Sequence, residues 1–132
     1  MQESARQALL GLRLLAATLL FIHGASRVLS GGVAPFGEFL TGMHIPAGTA
    51  VAWAITIVEL VGTVALALGM AVRPLALYFA AELLMGIALV HAREGWFVVG
   101  SGRNGMEYSV ALIGLFLALA WATPKRDSAW RP

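Results

Sequence analysis

A few side chains in this sequence could hold or move a proton in surroundings that otherwise offer nothing polar. Glu59 stands alone in "AITIVELVGTVALALG", residues 54 to 69. His23 and Arg27 lie four residues apart in "FIHGASR", on one face of any helix formed there. His91 heads "HAREGWF", and Glu107 lies in "GMEYSVAL". A guanidinium or imidazole of this kind can donate a hydrogen bond, while a carboxylate can accept and release a proton. Cysteine is absent, which excludes a disulfide framework, a thiolate metal site and dithiol redox chemistry. No serine elbow motif marks a covalent nucleophile.

The elements that position these groups depend on the solvent around them. Hydrophobic residues make up 59% of the 132, charged residues 12%, and mean hydropathy is +0.81. An ordinary globular domain is about a quarter charged. So few charges cannot cover a water-facing surface, and the apolar exterior must face lipid. The net charge of +2 is too small to indicate nucleic acid.

Turn clusters at "SGGVAP", "GMAVRP" and "GSGRNG" divide the chain into four apolar segments. The fold expected is an all-α integral membrane four-helix bundle forming a single domain over residues 1–132, with spans at about 7–29, 47–70, 74–94 and 106–123. Each is close to the ~20 residues a crossing needs. Arg13 inside the first apolar run argues for a retained span rather than a secretory signal. Between spans 1 and 2, "PFGEFLTGMHIP" places Phe36, Phe39 and Leu40 on one side of a short interfacial helix, and Pro46 would open span 2.

The basic residues set the expected orientation. Arg6, Arg13, Arg73, Lys125, Arg126 and Arg131 fall on one side, against Arg27, Arg93 and Arg103 on the other. The positive-inside rule then puts both termini in the cytoplasm. Trp53 and Trp96 mark the outer interface and Trp121 the inner one.

An ionisable group inside a span costs at least about 2.5 kcal/mol on insertion scales and normally faces protein with a partner. At about 1.5 Å per residue, His23 and Arg27 lie in the outer half, near the levels of His91 and Glu107, with Glu59 deeper as the floor of a polar cluster. By depth, the first partner for Glu59 is His23 and the second Arg13. Arg27 and Arg93 could instead snorkel to headgroups, and Glu107 could serve a helix N-terminus. Glu82, half a helical turn away from the face of His91, is expected to meet another helix or a second subunit, or to be protonated. His23, His91, Glu59 and Glu107 include ligand types that suit zinc or iron, but no short ligand-spacing motif supports a metal, and none is expected.

The stretches "RLLAATLLFIHGASRV", "HIP", "VELVGTVALALGMAVRP", "LMGIALVHAREGWF" and "GMEYSVAL" together resemble the DoxX family of small four-span bacterial membrane proteins, over nearly the whole chain. The resemblance implies membrane-linked redox work, as a subunit of a thiosulfate:quinone oxidoreductase or beside thiol- or superoxide-detoxifying proteins. It marks Arg13, Gly24, Arg27, Glu59, Gly62, His91 and Glu107 as site residues. Arg27 stands where many relatives have lysine, which keeps the charge and changes the hydrogen-bond geometry. The expected function is an oxidoreductase-type subunit binding quinone or a small redox molecule. Glu59, His23 and Glu107 would be its catalytic groups, and Arg27, His91, Arg13, Gly24 and Gly62 its ligand-binding residues. Nothing in the chain carries electrons, so a partner redox subunit or soluble enzyme is expected beside the bilayer. The rival readings are a proton-coupled transporter acting as a homo-oligomer and a non-catalytic scaffold for partner proteins.

Overall fold

The computed structural model describes residues 1–100 and 102–124. Lys125, Arg126 and Arg131, on which part of the orientation argument rests, lie outside the described residues. Five helices follow in order: α1 Gln2–Leu29, α2 Val33–Gly42, α3 Gly48–Ala67, α4 Val72–Glu94 and α5 Glu107–Ala122. Among the described residues there is no strand. Helices α1, α3 and α4, of 28, 20 and 23 residues, are long and apolar enough to cross a bilayer. Helix α5 has 16 residues, a rise of about 24 Å against a hydrocarbon core of about 30 Å.

The chain divides into two compact units, Arg13–Met70 and Met1–Leu12 with the chain from Ala71 onward. In Arg13–Met70, α1 and α3 run antiparallel. Their contacts pair Arg13 with Ala67, Gly24 with Glu59 and Arg27 with Thr56, so one series rises as the other falls. The buried stripe of α3 is Gly48, Ala52, Thr56, Glu59, Gly62, Thr63 and Leu66, a helical period of small and hydroxyl residues. The two threonines bond back into their own helix: Thr56 Oγ1 donates to the Ala52 carbonyl (2.7 Å), and Thr63 Oγ1 donates to that of Glu59 (2.5 Å). Each hydroxyl thereby enters the packed face already satisfied.

Helix α2 is the short helix expected between the first two spans, with a different set of residues on its packed face. Its buried side is Val33, Gly37 and Leu40, packed on α3, while Phe39 is exposed. The cause is the absence of side chains at the contact. A Cβ on Gly37 would fall 2.7 Å from Thr49 Cα, and one on Gly48 would run into the Gly37 carbonyl and Thr41. Pro46 precedes α3 instead of opening it, because Ala47 takes a left-handed turn (φ 54°) just before the helix starts at Gly48.

In the second unit, α4 packs on α5 through Ala76, Phe79 and Ala80 against Leu112, Phe116 and Leu119. The rings of Phe79 and Phe116 are tilted with centroids 5.4 Å apart. The last turn of α4 widens to a π-turn over Ile87–His91, a distortion that often re-aims a side chain. Arg73 Nη1 donates to the carbonyls of Ala120 (3.4 Å) and Thr123 (3.3 Å), serving end groups that a helix cannot pair by itself.

Gly37→Ala should weaken the α2–α3 contact and lower stability by about 1–3 kcal/mol, measured as denaturant unfolding in detergent micelles. Gly114→Ala, where a Cβ would meet nothing within 4 Å, should not lower it.

Candidate functional site in the α1–α3 seam

Arg27 occupies the last turn of α1, where a cation is favoured by the helix dipole. Glu59 lies midway along α3. Because every Cα–Cβ bond tilts toward its helix N-terminus, the two side chains of these antiparallel helices lean toward each other. Arg27 Nη1 donates to Glu59 Oε2 at 2.5 Å and Nη2 donates to Oε1 at 3.2 Å, a two-point ion pair with side chains 13% and 2% exposed. Nη1 also donates to Thr56 Oγ1 (3.0 Å). Phe36 of α2 covers the guanidinium, its ring centroid 4.7 Å from Cζ.

Gly24 makes the approach possible. A Cβ there would lie 3.0 Å from Glu59 Cβ and 3.1 Å from Oε2, so only hydrogen allows α1 so close to the carboxylate. Gly62 is buried in the same stripe of α3. Further toward the C-terminal end of α3, a shallow groove between α1 and α3 is lined by Ala17, Thr18, Phe21, Thr63 and Val64.

Glu59 therefore takes its charge partner from Arg27, one turn beyond His23, which depth alone ranks first. Depth compares backbone heights, whereas an arginine side chain spans a whole turn and leans back along its helix. The side chain of His23 lies on the exposed side of α1. Nor does Arg13 reach Glu59. Its Nη2 donates to the Ala67 carbonyl at 3.4 Å and its guanidinium packs on Gly69, at the C-terminal end of α3. Phe36 is a participant that sequence reasoning placed on an interfacial helix, and Thr56 joins it in the site. The readable signal for Thr56 was its position three residues before Glu59 on one face.

His91 and Glu107 belong to the other unit and have defined contacts of their own. The π-turn lets the His91 ring lie near Gly86, and His91 Nδ1 donates to the Asn104 carbonyl (2.8 Å). That bond places the proton on Nδ1. Glu107 Oε1 accepts the backbone N–H groups of Val98 (2.7 Å) and Val99 (3.1 Å). Among the described residues, no group of three His, Asp or Glu side chains converges as a metal site would require.

Long apolar helices joined by tight turns, with a charge pair between two of them, define a helical integral membrane protein. Residues 8–92 match the DoxX family, and the chain belongs to that family. The match covers the Arg27–Glu59 seam and stops before Glu107, short of the nearly full-length resemblance read from the sequence. Neither the curated proteins nor the solved structures compared with the chain gave a match.

Removing one partner should expose the cost of an unpaired buried charge. Arg27→Ala or Glu59→Ala should destabilise by about 3–5 kcal/mol, while Arg27→Met combined with Glu59→Leu should recover most of that loss. Unfolding in micelles, arranged as a double-mutant cycle, checks this.

Proposed function

We propose that the Arg27–Glu59 pair is the polar end of a membrane-embedded site for a neutral, carbonyl-bearing redox molecule, a quinone foremost. In this reading α5 serves as the fourth span, and the protein sits in a bacterial inner membrane with its N-terminal end in the cytoplasm. The observation that carries the reading is the two-point pair itself: a cation and a carboxylate held in lipid, with a residual 13% exposure on the arginine. Among the described residues, the three bonds of Arg27 leave its Nε–H and one Nη2 hydrogen uncommitted. Those hydrogens are donors for a ligand carbonyl oxygen. The apolar groove beside Thr63 accommodates an aliphatic substituent.

The chemistry follows from the shared guanidinium. With its free donors on the ligand oxygen, Arg27 holds the ligand beside the Glu59 carboxylate, which can then pass a proton to it. Reduction of a quinone takes up two electrons and two protons. The electrons come from a partner redox subunit or soluble enzyme, and Glu59 relays the two protons one after the other, each taken from water at the membrane surface. His23 and Glu107 are not needed for this relay. His91 and Glu107 hold backbone groups elsewhere, and Arg13 serves a helix end.

Full-length protein purified in mild detergent and titrated with a short-chain quinone tests the reading. Arg27→Gln should weaken binding by about 10-fold or more, the equivalent of one charge-assisted hydrogen bond. Glu59→Gln should abolish the pH dependence of quinone reduction when an external electron donor is supplied. Absence of quinone binding by the folded wild type overturns the proposal, as does equal binding by wild type and Arg27→Gln.

A further inference from the structure

The segment joining α4 to α5 shows an uncommon combination of exposed side chains and satisfied backbone. Trp96, Phe97, Val98 and Val99 are consecutive and 48%, 51%, 37% and 72% exposed. Four large apolar side chains in a row facing water would be unfavourable by about 25 cal/mol for each Å². A water-facing loop would also leave its amides to the solvent. Here many of those groups are paired within the chain.

The pairing is specific. The Gly95 carbonyl accepts the Met106 N–H (3.0 Å), that of Trp96 accepts the Glu107 N–H (2.9 Å), and that of Phe97 accepts the Gly105 N–H (3.2 Å). The Val98 and Val99 N–H groups both donate to Glu107 Oε1. Two glycines allow the close fold, since a Cβ on Gly102 or Gly105 would fall 2.5 Å from the Phe97 carbonyl oxygen. His91 pins the returning strand of chain at Asn104, which takes a left-handed conformation (φ 57°). Internal pairing of backbone groups is what hydrocarbon demands and water does not.

Position and charge indicate which surface the segment meets. It begins one residue after Glu94, the end of a 23-residue apolar helix, and so continues the lipid-facing surface of α4 at the membrane boundary. Arg93 and Arg103 flank it, both exposed, and cations at that level complement the phosphates of lipid headgroups.

We infer that Trp96–Val99 is a lipid anchor, its four side chains seated at the headgroup–acyl boundary of the leaflet at that end of α4. Glu107 is the internal acceptor that lets the backbone enter without water. Arg93 and Arg103 hold the segment to lipid phosphates. The inference is independent of the quinone reading, because it uses none of the residues of the α1–α3 seam.

Depth-resolved fluorescence of the full chain provides the test. With Trp53, Trp121 and Trp130 changed to Phe, Trp96 is the remaining indole. The protein is reconstituted into vesicles of phosphatidylcholine and phosphatidylglycerol, plain or with bromine placed near the headgroup on the acyl chain. An indole at the boundary should be quenched by the shallow bromines at least about threefold more than by aqueous iodide. Phe97→Asp together with Val99→Asp should reverse that ratio, and Glu107→Ala should bring it toward one while α-helical circular dichroism stays unchanged. Predominant quenching of the wild type by iodide would overturn the inference. Shielding from both quenchers would overturn it too, assigning the segment to a contact with a partner protein or a second copy.

Discussion

The two-point contact between Arg27 and Glu59 is the constraint on which the arrangement of the first unit depends. Taking either charge out of water alone is prohibitive, and a pair is tolerable only if its geometry is close and its remaining donors and acceptors are engaged. Each neighbouring feature meets one part of that condition. Gly24 removes the methyl group that would hold α1 away, the antiparallel run of α1 and α3 makes the side chains converge, Thr56 takes a further hydrogen, and Phe36 covers the face of the guanidinium. Helix α2 is thereby drawn into the site as well as into the packing. Its glycine contact with α3 is what brings Phe36 over the cation.

The same scarcity of water explains what the other polar residues do. A backbone group in lipid must find its partner inside the protein. Arg13 and Arg73 donate to carbonyls at the ends of α3 and α5, threonine hydroxyls bond back along α3, and Glu107 gathers two amides of the α4–α5 loop. Among the described residues, Arg13, Arg73, His91 and Glu107 complete the backbone, whereas Arg27 and Glu59 form a largely buried pair of opposite charge. That difference, more than the number of polar residues, directs attention to the α1–α3 seam within this DoxX family member.

A buried pair of this kind has a consequence for dynamics and function. In the proposed reading, a ligand oxygen that accepts from Arg27 shares the guanidinium with Glu59, so ligand binding and proton transfer are coupled through one side chain.

The membrane class, the helical segments and their approximate ends were legible in the sequence, because hydropathy and turn residues act locally and lipid admits few alternatives. The importance of Glu59 was legible for the same reason: one carboxylate in an apolar run must be accommodated. Sequence could not decide its partner. His23 and Arg27 stand four residues apart in one segment, and choosing between them required the direction in which each side chain leans and the gap that Gly24 opens. Nor could sequence show that Glu107 faces backbone amides, or that a π-turn aims His91 at Asn104, since both depend on how a loop folds back on itself. Composition and period determine which segments enter the membrane. Which polar atoms meet there is decided by angles and close approaches that exist only once the helices have packed.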